Sequence, residues 1–481
     1  MAKINNSKNI YSQLEEVINK LDEMVIENKE LLQTIRELEK SLAKKDAKIL
    51  ELILEIERLK NNNNKNSSNS SKPSSTNGFK KVILNNREKS NRKRGGQPNH
   101  KGVTLTKKHI DKMIENGDID EVETVIKNKT EKNKHLKPII RYELDVKIVK
   151  KITKYVIYPS EQTNIIGSPV IYGNNIKSIV NVLSMKYLSI DAIAEFISEV
   201  THGIVNLSKG TIYEWNKDIS DKLNDIQIEK IKQELLNSLV LHVDESPIKV
   251  DGKQYYVHNI SNGKYTLQFI AKTRGMKAVE EFGFLKDFKG ILVHDHFIMY
   301  FNYGIDNAEC NVHILRYLKG IEENTKHKWA TKMKEFLKES NKNKEKLLRN
   351  GCNGLSKKEY ESYKQKYLDI LKEGHNEYLK DRKNNAFAKD ETNLLNRMKN
   401  YAHNHLLFLE RFDVPFSNNR AEADLRPVKI RQKIGKFRSE DGAKNYIITR
   451  SCYSTFKKNN INPYDAINSI LAEEKLQFKI G

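Results

Sequence analysis

Nowhere in its 481 residues does the chain carry about 18 consecutive apolar residues, the length a membrane-spanning helix needs. Met1-Ala2-Lys3-Ile4-Asn5-Asn6 leads into charged sequence rather than an apolar signal segment. A membrane partner is therefore not expected, and a cytoplasmic location is. Cysteine is scarce as well: Cys310, Cys352 and Cys452 are scattered and odd in number, which excludes a disulfide framework and suits a reducing compartment. Acidic residues are in deficit, with 63 Asp and Glu against 85 Lys and Arg and a formal charge of +22. A polyanion, nucleic acid first, is the partner that such a balance favours. The length leaves room for roughly three domains.

From Leu14 the apolar residues step by four and three through Ile18, Leu21, Val25, Asn28, Leu32 and Ile35, then resume at Leu38, Leu42, Lys45, Ile49, Leu52, Ile56 and Leu59. The spacing predicts a coiled coil over residues 1–60 that joins copies into a homo-oligomer, with a local change of phase near Ile35. Residues 61–102 read as a disordered basic linker and arm, in which Arg92, Lys93, Arg94 and Lys101 beside glycines are candidate DNA contacts. Residues 103–170 read as a small module with strands, from the alternation of Ile139, Tyr142, Leu144, Val146 and Ile148. A helical region follows over 171–236. Within it Ser208 is placed to cap a second helix carrying Lys209 and Thr211, a pattern that fits a helix-turn-helix DNA reader.

Over 237–445 the pattern turns strand-rich. Leu239–Val243, Gln254–Ile260, Tyr265–Ala271 and Ile291–His294 read as strands, with a helix over Met276–Leu285, and a lysine-rich helical stretch interrupts the domain at about 326–412. The first and fourth strands are apolar throughout, as central strands are. Residues 446–481 close the chain as a helical segment. The fold expected is a ribonuclease-H-like α/β catalytic domain with a helical insertion, preceded by the coiled coil and a mostly helical DNA-binding region.

The chemistry sits where two apolar runs meet acids. Leu239-Val240-Leu241-His242-Val243 leads into Asp244, Gly290-Ile291-Leu292-Val293-His294 leads into Asp295, and Glu422 lies in the later stretch Ser417–Pro427. Three such carboxylates can hold two divalent cations beside a phosphodiester, Mg²⁺ or Mn²⁺ being the ions that oxygen ligands of this kind suit. Every charge from Arg426 to Arg438 is positive, so Arg420, Arg426, Lys429 and Arg431 are candidate DNA contacts next to Glu422. Cys310 and His313 have the spacing of half a zinc site, and no comparable pair supplies two further ligands; no structural zinc is expected.

These residues resemble a transposase of the insertion-sequence-66 family. The resemblance is carried by His242-Val243-Asp244-Glu245-Ser246, Arg274-Gly275, Asp295, Cys310-x-x-His313 with Arg316, and Asn418-Asn419-x-Ala421-Glu422-x-x-Leu425-Arg426-Pro427. Asn66-Ser67-Ser68, Gly96-Gln97-Pro98-x-His100-Lys101-Gly102 and Asn460-Ile461-Asn462-Pro463-Tyr464 extend it over nearly the whole chain. It implies a DDE triad of Asp244, Asp295 and Glu422 on a ribonuclease-H-like fold. It further implies metal-dependent cleavage and transfer of the strands of a mobile element, double-stranded DNA as partner at element ends and target, and room for helper proteins of the same element. The chain departs from the family in lacking cysteine over 103–170, where relatives carry a zinc module, and in having Asn99, Ser246 and Ala423 where Gly, Thr and Arg are usual. Two other readings share these residues: a structure-specific nuclease on the same fold, and a DNA-binding regulator without catalysis.

Overall fold

The computed structural model describes residues 2–64, 106–126, 140, 142–144, 146, 148–154 and 171–472. The chain divides into two compact units, one of residues 84–215 and one of residues 1–83 with 216–481. No helix among the described residues is long and apolar enough to cross a membrane. The first element, α1 (Ala2–Asn64), is a single helix of 63 residues on which Ile18, Val25, Leu32 and most other described apolar side chains are exposed.

In the unit of residues 84–215 the described helices are α2 (Lys107–Glu115), α3 (Asn174–Met185), α4 (Ile190–Val200) and the start of α5 (Lys209–Leu223). Ser189 caps α4 by accepting from Ala192 N, and Ser208 opens α5 by accepting from Thr211 N at 3.0 Å. Val180, Ile193, Ile197, Leu207 and Ile212 close one small core between α3, α4 and α5. The sequence placed strands over part of 103–170; the described residues there carry α2 and no strand, and the remainder of that span lies outside the described residues.

The larger unit is built on a mixed five-stranded sheet with many helices. After α5 and α6 (Glu229–Leu236) come β1 (Val240–Val250), β2 (Lys253–Ser261) and β3 (Thr266–Ala271), then α7 (Met276–Phe282), β4 (Ile291–His294) and β5 (Asp306–Glu309). The strand order is β3-β2-β1-β4-β5. The first three strands are antiparallel neighbours, whereas β4 lies parallel to both β1 and β5. Asp251 and Gly252, with φ of +47° and +74°, make the tight turn that lets β1 fold directly onto β2.

Five helices follow β5 and pack against that sheet: α8 (Asn311–Thr325), α9 (Lys328–Arg349), α10 (Lys357–Asp381), α11 (Ala388–Asn400) and α12 (Ala402–Glu410). Ile291 and Val293 of β4 and Ala308 of β5 join their apolar residues in one core that includes Ile314, Leu318, Trp329, Met333, Tyr367 and Leu406. Close packing decides one residue type here: a Cβ on Gly374 of α10 would come within 2.7 Å of the Trp329 ring. Three helices complete the unit: α13 (Asn419–Ile434), α14 (Glu440–Lys458) and α15 (Pro463–Leu471). The edge strand β3 would present bare N–H groups, and α14 covers them. Thr266 N donates to Thr455 Oγ1 at 3.0 Å and Gln268 N to Ser451 Oγ at 2.9 Å.

Candidate active site

The parallel pairing of β1 with β4 matches Val240 to Ile291, Leu241 to Leu292 and His242 to Val293. Continuing that register by two residues sets Asp244 level with Asp295, and equivalent positions on neighbouring strands carry their side chains to the same face. β1 does not end at Asp244, as the apolar run suggested. It continues to Val250 because β2 stays paired with it down to the turn. What ends is β4, at His294, so Asp244 lies in mid-strand where its parallel neighbour has stopped. Asp244 and Asp295 line one cavity of about 140 Å³ with Val243, Glu245, Arg274, His296, Phe297 and Tyr300.

Glu422 reaches the same neighbourhood from the first turn of α13, where the helix N-terminus favours an acid. Ala421, Leu425 and Val428 are the buried face that docks this helix. Asn418, fully buried, fixes its start: Nδ2 donates to Val243 O at 2.8 Å, Oδ1 meets His242 Nδ1 at 3.0 Å, and its backbone N–H points to Cys310 Sγ at 3.1 Å. His313 in the first turn of α8 links two of the acids, with Nδ1 3.3 Å from Asp295 Oδ1 and Nε2 3.9 Å from Glu422 Oε1. Arg316 Nη1 lies 3.1 Å from His313 Nε2; burial works downward on the ring, but Asp295 and Cys310 beside it outweigh that and raise its pKa to about 11.

The acids differ in electrostatic setting. Burial, with Asp295 and Glu245 alongside, pushes the Asp244 carboxyl well above the ordinary aspartate range. Burial also works upward on Asp295, but the neighbouring His313 outweighs it and holds that carboxyl below its ordinary value. Glu245, on the wall of the same cavity, is engaged by its neighbours: Arg274 holds it through Nε at 2.8 Å and Nη2 at 2.5 Å, Tyr300 donates to it at 2.8 Å, and Arg274 lies over the Phe297 ring. Asp424 is likewise engaged, by Lys458 of α14 at 2.7 Å.

Asp295 Oδ1 and Glu422 Oε1 are buried and have no hydrogen-bond partner among the described residues. Buried carboxylate oxygens are normally paired, so unpartnered ones beside a third, half-buried acid fit a hard divalent cation such as Mg²⁺ or Mn²⁺. The Cys310 and His313 pair is also not the isolated half-site that its spacing suggested. Asp295 supplies a third donor, and the three donor atoms lie within 4.8 Å of one another. That neighbour sits 15 residues upstream of Cys310 and cannot be found from a metal-ligand spacing.

The sequence-derived DNA contacts fare differently. Arg92, Lys93, Arg94 and Lys101 lie outside the described residues. Lys209 is exposed but paired with Asp191 at 2.5 Å, and the Thr211 hydroxyl is bonded to Ser208 Oγ at 2.8 Å. Arg420, Arg426 and Lys429 are exposed on α13, while Arg431 turns back to Gly435 O and the Phe437 ring. The sequence assigns no separate role in the site to Arg274, Tyr300 or Asn418, which stand only in stretches that carry the family resemblance, and it reads His296, next to Asp295, as local packing and hydrogen bonding.

A family model described as Transposase IS66 family matches residues 174–445. Neither the curated proteins nor the solved structures contain a match.

Proposed function

The chain belongs to the IS66 transposase family, and on that premise we propose that it cleaves and transfers the DNA strands of an insertion element, with Asp244, Asp295 and Glu422 as the DDE triad on a ribonuclease-H-like fold. The observation that carries this reading is the pair of unpartnered buried oxygens, Asp295 Oδ1 and Glu422 Oε1, near the half-buried Asp244. The strand order β3-β2-β1-β4-β5, with one antiparallel arm and the acids around the junction of β1 and β4, supports the fold assignment. The helices α8 to α12, entering between β5 and α13, then read as the insertion.

Asp244 and Asp295, with Glu422 opposite, would hold two Mg²⁺ or Mn²⁺. Such ions, when bound, activate water or a DNA 3′-hydroxyl and stabilise the departing oxygen. The chain's own residues position the reactants. His313 stands between Asp295 and Glu422, 3.3 Å from one and 3.9 Å from the other. Arg274, pinned by Glu245 and Phe297, brings a fixed positive charge to the cavity wall, where a phosphate can be oriented without reorganising the side chain. The exposed Arg420, Arg426 and Lys429 on α13 hold the DNA backbone beside the acids, and the helix pair α4 and α5 reads the element ends. The exposed apolar seam of α1 joins copies through a coiled coil.

Labelled element ends incubated with the full chain and Mg²⁺ test the reading. Cleavage at the ends followed by joining to target DNA is expected. Cutting without end specificity or joining would make the chain a structure-specific nuclease, and binding without cutting would make it a regulator. Sedimentation of the chain lacking residues 1–60 should give a smaller assembly; an unchanged one would remove the coil from the account.

A further inference from the structure

Cys310 precedes α8 and His313 lies in its first turn, so a step of three residues brings both side chains to one face of the helix start. Cys310 is 1% exposed and His313 8%. Across from them Asp295 completes a set whose donor atoms lie within 4.8 Å of one another. A thiolate, an imidazole and a carboxylate make a mixed donor set that suits Zn²⁺ and is poorly matched to Mg²⁺, which prefers oxygen alone. Two further observations point to a ligand. His313 Nδ1 and Asp295 Oδ1 are buried and, although 3.3 Å apart, have no hydrogen-bond partner among the described residues. The Asn418 backbone N–H points at Cys310 Sγ from 3.1 Å, so the sulfur is fixed in place at the start of α8.

We infer that Asp295, Cys310 and His313 form a site for a thiophilic divalent cation of the Zn²⁺ class, separate in ligand chemistry from the all-oxygen site and sharing Asp295 with it. Binding displaces the hydrogen from His313 Nδ1 and the proton from the Cys310 thiol. The ring hydrogen then resides on Nε2, where Glu422 Oε1 at 3.9 Å is the acceptor within reach and Arg316 has to withdraw. That arrangement, a carboxylate behind a metal-bound histidine, fixes the ring for ligation. Three protein ligands leave a fourth position for water. Because Asp295 cannot serve both ions with one geometry, Zn²⁺ in this site withdraws an acid from the Mg²⁺ site; this consequence alone rests on the function proposed above.

Co²⁺ serves as the probe, added to the full chain and followed by optical absorption. The expected result is a thiolate-to-Co²⁺ charge-transfer band saturating at one ion per chain, displaced by Zn²⁺, retained in Cys352→Ser and lost in Cys310→Ser. A missing band, or one that survives Cys310→Ser, overturns the site. Should Cys310→Ser fail to fold, as circular dichroism would reveal, Asp295→Asn provides the second reading. It should weaken Co²⁺ binding by about tenfold or more, and unchanged affinity overturns the shared ligand. In the Mg²⁺ cleavage assay, Zn²⁺ should inhibit the wild type at lower concentration than Cys310→Ser. That arm fails together with the proposed function, whereas the Co²⁺ spectrum does not depend on it.

Discussion

Glu309 at the end of β5 and the acids around the junction of β1 and β4 are treated in opposite ways. Glu309, at the end of β5, is saturated: His296 Nδ1 lies 2.8 Å from it, Arg397 donates to it through Nε at 3.1 Å, and His405 Nε2 stands 3.3 Å away. These partners outweigh burial and hold its carboxyl far below the ordinary glutamate range. Asp244, on β1, has Asp295 and Glu245 for neighbours instead, and burial with their charge drives its carboxyl upward. Glu309 is an acid the fold has neutralised for its own use, tying β5 to α11 and α12. It also holds His296, whose φ of +69° is a strained conformation for a residue with a Cβ. Asp244, Asp295 and Glu422 are left with unmet charge or unmet oxygens, a state that a buried site tolerates when a cation is to be bound.

Removing an acid should therefore have opposite effects in the two groups. Asp244→Ala, Asp295→Ala or Glu422→Ala should each reduce DNA cleavage by on the order of 10³-fold or more, as loss of one member of a catalytic constellation does. DNA binding in a gel-shift assay should stay within a few-fold. Cleavage persisting in any variant would take that residue out of the site. Glu309→Ala should instead lower unfolding stability by about 3–5 kcal/mol, because the largely buried Arg397 is left without its counter-charge. Urea unfolding would measure it, and a loss comparable to that of a surface substitution would show that the cluster is not structural.

The pH dependence of stability sharpens the same contrast. A folded-state pKa held low, as at Glu309, contributes stability that is present above the unfolded value of about 4.3 and lost as pH falls below it. A folded-state pKa driven up, as at Asp244, contributes stability that is present below the unfolded value of about 3.9 and lost as pH rises toward the raised value. In the metal-free protein, Glu309→Gln should flatten the acid limb of the stability profile and Asp244→Asn the limb above about pH 4. Unfolding across that range in a chelator checks both, and the reverse assignment would refute the electrostatic argument. A smaller effect is expected on α13, where Lys429→Ala should weaken DNA binding evenly across sequences and reduce the salt slope by about 1. A change confined to one DNA sequence would mean that Lys429 reads bases.

Local pattern was enough for part of this arrangement. The apolar runs into Asp244 and Asp295 marked adjacent central strands, and the acid within the basic stretch marked α13. β5 was missed because Asp306-Asn307-Ala308-Glu309 is made of residues that strands disfavour, and its pairing with β4 and burial under α12 override that preference. Glu309, Asn418 and His313 take their roles from partners far away in the chain: His405, Val243 and Asp295 respectively. No periodicity encodes such pairs. The extension of β1 past Asp244 follows from the hairpin with β2, which an apolar run cannot reveal, since the later part of β1 alternates exposed and buried residues.

The central claim is that the unpartnered acids, and not the saturated one, bind divalent cation. Mn²⁺ binding followed by electron paramagnetic resonance, comparing the full chain with Asp244→Asn and Glu309→Gln, tests it most directly. The account predicts that Asp244→Asn loses most of its Mn²⁺ affinity while Glu309→Gln, once confirmed folded, keeps it. Equal affinity in wild type and Asp244→Asn, or loss of affinity in folded Glu309→Gln alone, would contradict it.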